Sequence, residues 1–475
     1  MHERTRGAVL QRDIGFEFEV NHMAYQSDRT LTWKDRGQRA ERPRGATNLP
    51  KGSVLVGNMG ALHAKTDVAS MNRGSNVEFE IAHQPETDEG RARLVEALAT
   101  LERACALLET ERSRGRRHVP ATKLRAAFGG ATGGENRYIA VDGEPTTGAP
   151  QATVGIRLER VGGLMENTIG SAVKDDEMPR DRFALGGMRG DQFSAIGRTP
   201  GLVRDGIHAY AEQAGEELPE GFPSSALVGV CALLLSYIRA GAAGRQIFLK
   251  GMAPLLARTS IGSIMAGDLS DAERLFFEHE GGARFVALWG HILATAQLGE
   301  LDVPLIALDP SEGEGMELPT ALSRRSWLAA LAGPEHVDQL TAEHVPAVAE
   351  DGLLTAAQAK VLREDHDDRE AVEGGPITTL RAQRLTTHRR ENLEGFGALG
   401  TAHDTVGGVD RVRAPVFELR RMIAMDTHEF AEMALGLFDY VVALNGAEGD
   451  EATYAHAEHR ASTPSLRQRR RFWWG

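Results

Sequence analysis

The sequence predicts an α+β fold: a curved antiparallel sheet built from strands at both ends of the chain, with packed helices and a helical insertion. Two observations predict it. Four short segments alternate apolar and polar residues with a period of two, three of them before residue 160 and the fourth beginning at Pro415. Elsewhere, apolar residues recur at steps of three and four, the period of a helix with one buried face. Strands that each carry one apolar face need a cover, and amphipathic helices supply it.

The first alternating segment is Asp13-Ile14-Gly15-Phe16-Glu17-Phe18-Glu19-Val20. On a strand, Phe16, Phe18 and Val20 enter a core while Glu17 and Glu19 share the opposite face. Two carboxylates side by side are costly unless a cation sits between them, and hard oxygen ligands at this spacing suit Mg²⁺ or Mn²⁺. A solvated polar face is the plain alternative. Residues from Asn21 to Lys51 read as a long loop, and Lys51–Gly57 as a short strand. Asn76–His83 repeats the alternation, with Val77, Phe79 and Ile81 opposite Glu78 and Glu80. After Pro85, Leu94, Leu98, Leu101, Cys105 and Leu108 mark an amphipathic helix. Arg114, Arg116, Arg117 and His118 follow its end, where cations complement the helix dipole.

Phe128–Arg137 is dense in glycine but lacks the Lys-Ser/Thr of a phosphate-cradling loop, so it reads as a flexible loop ahead of a strand at Arg137–Val141. In Gln151–Glu159, Ala152, Val154, Ile156 and Leu158 alternate with Gln151, Thr153, Arg157 and Glu159. Met165–Gly221 shows little repeated pattern, and Leu185–Asp191 reads as a second loop over the site. Helices are expected over Ser224–Ala240 and Arg245–Ala257, and over Asp271–Leu298 as one helix or a pair split near Gly281-Gly282. Lys250 and Arg258 would border the middle helix, either reaching nucleotide phosphates or snorkelling to solvent. Asp309–Gly315 is turn-rich, and the charge run Arg363–Glu370, with His366 among aspartates, reads as solvated loop.

In the last strand, Pro415–Arg420, Phe417 and Leu419 oppose Glu418 and Arg420. Asp426–Glu429 resembles a capping box, and the helix behind it buries Phe430, Ala434, Leu437, Val441 and Leu444. The chain thus divides into a sheet-rich part (1–222), a helical part (223–300), an insertion (301–410), a strand and helix completing the core (411–446) and a tail (447–475).

The Gly-x-Glu-x-Glu strand at Gly15–Glu19, the Glu-x-Glu strand running on to Pro85 and the Glu-x-Arg strand at Glu418–Arg420 resemble the carboxylate-amine ligase superfamily, the amidoligases related to glutamine synthetase and glutamate-cysteine ligase. The resemblance implies a protein that binds ATP and divalent metal over its sheet, phosphorylates a small-molecule or peptide carboxylate and passes the acyl phosphate to an amine. Carried onto this chain, it implies that Glu17, Glu19, Glu78 and Glu418 hold Mg²⁺ or Mn²⁺. Arg157 and Arg420 would take phosphate or substrate carboxylate, and Gln151, Lys250 and Arg258 would contact the nucleotide. Glu80 would stand behind the metal ligands or act as base for the amine. The family often carries a histidine-bearing strand where this chain reads Thr153-Val154-Gly155-Ile156-Arg157. Either Arg157 has taken over a phosphate role there, or the activity has drifted.

Composition sets the bounds. The chain has 475 residues, with 67 Asp plus Glu against 54 Lys plus Arg and a formal charge of −13, which argues against general nucleic-acid binding. Cys105 and Cys231 both fall in apolar helical patterns and read as buried thiols. No apolar leader is evident, and the run Ala226–Leu235 is too short to span a bilayer, so a cytoplasmic protein without a transmembrane segment is expected. Export by a specialised apparatus, as for an effector, leaves no such signal and stays compatible with the sequence. The tail Arg467–Gly475, basic then aromatic, is either disordered or docks on a subunit, an acidic partner or a membrane surface. Two rival functions stay open: an inactive scaffold or binding component of a larger assembly, and a metal-dependent hydrolase or phosphotransferase.

Overall fold

The computed structural model describes residues 13–27, 52–70, 74–132, 137–141, 143–144, 147–166, 197–214, 218–242, 255–259, 264–265, 269–303, 324–332, 401–403, 413–420 and 425–446. Strands β1 (Asp13–Ser27), β2 (Val54–Met59), β3 (Leu62–Ser70) and β4 (Gly74–Pro85) lead into helix α1 (Asp88–Ser113). Then come β5 (His118–Pro120), α2 (Ala121–Phe128), β6 (Ala131–Thr132), β7 (Arg137–Val141), β8 (Thr147–Gly155) and the short helix α3 (Val161–Leu164). Helices α4 (Thr199–Ala214) and α5 (Ser225–Ala242) precede β9 (Leu255–Ala257), α6 (Asp271–Thr295) and α7 (Arg324–Ala332). The described chain closes with β10 (Thr401–His403), β11 (Arg413–Arg420), β12 (Met425–Asp426) and α8 (Phe430–Gly446).

The fold is α+β, with an open antiparallel sheet whose path among the described residues is β10-β11-β8-β1-β4-β3-β2-β6. Strands from both ends of the chain lie side by side at its centre, because β8 pairs with β1 on one edge and with β11 on the other. The first strand organises the rest. Its Ile14–Val20 half sits between β4 and β8, and its Met23–Ser27 half pairs with β7. The change of partner falls at His22, whose φ of 64° puts a left-handed residue inside the strand and turns its course. The expected loop from Asn21 therefore starts later. Met23, Ala24 and Tyr25 are buried and keep the chain extended to Ser27, and residues 28–51 lie outside the described residues.

The apolar face of the sheet carries Phe16, Phe18, Phe79, Ile81, Val154 and Phe417, all buried. Helix α1 turns Leu94, Leu98, Leu101, Cys105 and Leu108 to the core, as its period predicts, and Thr87 caps it by accepting the Gly90 N–H at 3.1 Å. Helix α8 buries Phe430, Ala434, Leu437, Val441 and Leu444. Its start differs from the expected capping box. A 3₁₀ turn at Thr427–Glu429 precedes it, and Asp426 makes no side-chain cap. A bidentate pair from Arg91 on α1 to Asp439 on α8, at 2.6 and 2.8 Å, ties the two helices together.

Other expectations change. Thr199–Ala214 is a helix within the segment that shows no pattern in the sequence, with Val203, Ile207 and Tyr210 buried at steps of four and three. Leu255–Ala257 is not the end of a helix but a strand paired with β11, where Tyr237 Oη accepts the Ala257 N–H at 2.8 Å; Lys250 lies outside the described residues. Helix α6 runs unbroken through the Gly pair, yet Gly282 takes φ 84° and brings its backbone to Ala329 of α7, where a Cβ would meet the Ala329 carbonyl at 2.9 Å. The expected strand Gln151–Glu159 begins and ends earlier, at Thr147 and Gly155, although its apolar set Ala152, Val154, Ile156 and Leu158 is buried. The tail and Arg363–Glu370 lie outside the described residues. Among those described, no helix is long and apolar enough to cross a membrane.

Burial raises the Cys105 thiol pKa to about 12 and pushes Cys231 up as well, so neither thiol is ionised in the folded protein. The buried Glu111 at the end of α1 receives Lys123, Arg116 and Arg114, and hydrogen bonds from Lys123 and Arg116 hold its carboxyl below the usual carboxylate range. A folded-state pKa below the unfolded one contributes stability above the unfolded value, and that stability is lost as pH falls through the folded value. Glu111→Gln is therefore expected to lower Tm at neutral pH, with the difference from wild type closing as both proteins are acidified through the carboxylate range. A Tm gap constant from pH 7 to pH 3 would contradict this.

Candidate metal-binding floor

The face of the sheet opposite the core is acidic. Alternation along each strand sends Glu17 and Glu19 of β1, Glu78 and Glu80 of β4, Gln151 and Thr153 of β8, and Glu418 of β11 to this one side. Register then sorts them into rows across the strands. Glu19 stands opposite Glu78, which stands opposite Lys65. One row along, Glu17 lies between Gln151 and Glu80, with His63 beyond Glu80. Arg420 registers with Gln151 in that row, its side chain lying outside the described part. In the third row Glu418 faces Thr153, and Thr153 faces Gly15. Gly15 has no side chain, and the His83 ring occupies the space above it, where a Cβ would meet that ring at 3.0 Å.

Three carboxylates converge: Glu19, Asp67 and Glu78 offer oxygen atoms that all lie within 4.8 Å of one another. Oxygens on opposite sides of a hard divalent ion stand about 4–5 Å apart, so the spacing fits such an ion. Glu78 and Asp67 are buried and Glu19 half-buried. Gln151 joins them from β8 by donating Nε2–H to Glu19 Oε1 at 2.7 Å. Its own Oε1 is buried without a hydrogen-bond partner, in a residue only 7% exposed. A buried amide oxygen on a side chain bonded to Glu19 is a further hard donor at the edge of the group, and a cation would satisfy it.

Sequence reasoning misses Asp67 because it misses the strand that carries it, β3. A signal exists: Leu62, Ala64 and Thr66 are buried and alternate with His63, Lys65 and Asp67. A register shift after Thr66 adjusts the strand where Asp67 meets β4. Of the four expected metal ligands, Glu19 and Glu78 belong to the converging group, while Glu17 and Glu418 do not. Glu418 lies beside Arg258, with Oε2 3.2 Å from Nε. Glu80 is ion-paired to Lys65.

Arg157 stands past the end of β8, where Nη2 pairs with Glu159 at 2.6 Å. Its backbone N–H donates to Asn445 Oδ1 at 3.3 Å, and Asn445 in turn donates to Glu86 and the Gly155 carbonyl, each at 2.9 Å. The α8 terminus thereby fixes the end of β8. His63 adds a neutral ring to the floor. Its Nδ1 accepts the Asn58 N–H at 3.1 Å, and burial, with Lys65 adding to it, pushes its pKa below the ordinary value.

Fold and site together define an α+β protein with an acidic sheet face on which three carboxylates converge. No family model matches the chain, and no curated protein matches it. Among solved structures, a Vibrio cholerae toxin from the MARTX/VgrG family aligns over 63% of this chain and 87% of its own, at 11% identity and a TM-score of 0.28. A likeness at that score carries no argument about fold or activity.

Proposed function

We propose that the protein is an ATP- and divalent-metal-dependent ligase that joins a carboxylate to an amine. The observation that carries the reading is the convergence of Glu19, Asp67 and Glu78 beside the orphaned Gln151 amide oxygen. These residues would hold Mg²⁺ or Mn²⁺, which supplies charge neutralisation for phosphoryl transfer. In the first step a substrate carboxylate oxygen bonds to the γ-phosphorus of ATP as the bond to ADP breaks. In the second the amine nitrogen bonds to the carbonyl carbon as phosphate leaves, and a floor carboxylate, Glu80 or Glu17, accepts one amine proton. Lys65 pairs with Glu80 and fixes its place on the floor. The small-molecule or peptide acid and amine would be the partners of the site.

A scaffold reading draws on a different fact: Lys65 and Arg258 already pair with Glu80 and Glu418, so part of the floor charge is balanced internally. Calorimetry separates the two. ATP titrated with Mg²⁺ is expected to bind wild type, and binding is expected to fall at least about tenfold in Glu19→Gln, since a ligand carboxylate is lost. ADP release that rises when an amine mixture is added would support the ligase. Well-folded wild type that fails to bind ATP with Mg²⁺ at millimolar concentration would sink it in favour of the scaffold.

A further inference from the structure

Arg258 is the second buried group on this face whose hydrogen-bonding capacity goes unused. Its side chain is 16% exposed, and Nε and Nη1 are buried and donate to no acceptor. Glu418 Oε2 lies 3.2 Å from Nε, close enough for charge attraction but not aligned as a hydrogen bond. Buried N–H donors left without a partner lose the hydrogen bonds that water gives them in the unfolded chain, so the folded guanidinium carries an uncompensated desolvation cost.

The residue is not held loosely. Its backbone N–H donates to the Val416 carbonyl at 2.7 Å, and the next residue, Thr259, accepts the Val416 N–H on Oγ1 at 2.8 Å. These bonds continue the pairing of β9 with β11, so Arg258 leaves the sheet on the side where Glu418 stands. Across from Glu418 lie the half-buried Thr153 hydroxyl and then Gly15, the position without a side chain. The guanidinium thus lies beside Glu418, from which the row runs to the Thr153 hydroxyl and then to Gly15 with the His83 ring above it.

We propose that Arg258 forms an oxyanion-binding site on the β11 side of the floor, for a phosphate or carboxylate group, and that Glu418 is its internal competitor. Two oxygens of a carboxylate or phosphate match the guanidinium fork, and a bound anion satisfies the idle donors that Glu418 leaves. Glu418 neutralises the cation while the site is empty and opposes the entering anion once it arrives. The ligase resemblance would give Arg258 a nucleotide contact; the site proposed here stands on the geometry of Arg258 and Glu418 and needs neither metal nor nucleotide.

The test uses the full chain in EDTA, so that the carboxylate group takes no part, with pyrophosphate as the phosphate probe and citrate as the carboxylate probe. Isothermal titration is expected to show that wild type binds one of the two, and that probe names the chemistry the site takes. Arg258→Gln is expected to weaken binding about tenfold or more, the scale of a charge-assisted hydrogen bond, and Arg258→Lys by less. Glu418→Gln is expected to tighten it, which a merely structural role for the pair would not produce. Binding of neither probe, Arg258 variants that fold yet bind as wild type does, or weaker binding in Glu418→Gln would each overturn the site. Should Arg258→Gln not fold, Arg258→Lys and Glu418→Gln decide the same question. A parallel Mn²⁺ titration of wild type reports on the carboxylate group separately.

Discussion

Asp67→Asn is expected to weaken Mn²⁺ binding by about a hundredfold or more, because it removes one of three converging charges from the site, where loss even of groups behind a metal ligand costs ten- to a hundredfold. The substitution keeps the shape of the side chain and changes its charge alone. Asp67 and Glu78 are buried, so their charge is compensated less by water than at the surface, and a cation gains correspondingly more from them. A ligand that binds only the folded state stabilises it by RT ln(1 + [L]/Kd), so wild type should melt higher in Mn²⁺ than in EDTA. In Asp67→Asn that gain should vanish at the same Mn²⁺ concentration, and calorimetry should show the weakened Kd directly. Glu17→Gln is the contrasting variant: Glu17 lies outside the converging group and should retain most of the gain. Equal Mn²⁺ affinity in wild type and Asp67→Asn would remove β3 from the site and return the ligand set to the residues read from the sequence.

Much of the fold is legible in the sequence because period-two alternation and helical steps are local properties of the chain. Alternation alone places Phe16, Phe18, Val77, Phe79, Ile81, Phe417 and Leu419 in a core, and all are buried. The same rule puts Glu17, Glu19, Glu78, Glu80 and Glu418 on the other face. What alternation cannot supply is register, which depends on which strands meet and on irregularities within them. Glu418 carries the same Φ-Glu pattern as Glu78, yet the sheet order separates β11 from β1 by β8 and gives Glu418 the company of Arg258 instead. Asp67 is hidden by modest residues: Ala64 and Thr66 fill the buried side of β3 where Phe and Ile fill it on β4. β9 escapes for another reason. Three apolar residues after a helical-looking run carry no period of their own, and their pairing with β11 is a tertiary contact more than one hundred and fifty residues away. The left-handed residue at His22, near which β7 replaces β8 beside β1, likewise gives no sequence signal, since residues other than glycine seldom adopt that conformation.

The core that holds the acidic floor in place gives the second large effect. Phe18 lies between Glu17 and Glu19 on the central strand, fully buried, opposite Phe79 in the pairing with β4. Its ring centroid is 4.9 Å from that of Phe430 at the start of α8 and 6.2 Å from that of Phe16, so one side chain fastens the sheet to the helix that follows the last strands. Phe18→Ala is expected to cost about 3–5 kcal/mol in urea unfolding, the range for truncating a buried aromatic whose neighbours cannot collapse into the gap. Phe430→Ala should cost a similar amount, and the double variant less than the sum of the two, by about 0.5–1.5 kcal/mol, if the rings stabilise each other. Because Glu17 and Glu19 share the backbone of Phe18, loosening its packing should also weaken Mn²⁺ binding in protein that is still folded, although no ligand has been touched. A loss of less than about 1 kcal/mol, with metal affinity unchanged, would mean that β1 is held by its strand pairing and not by this aromatic anchor.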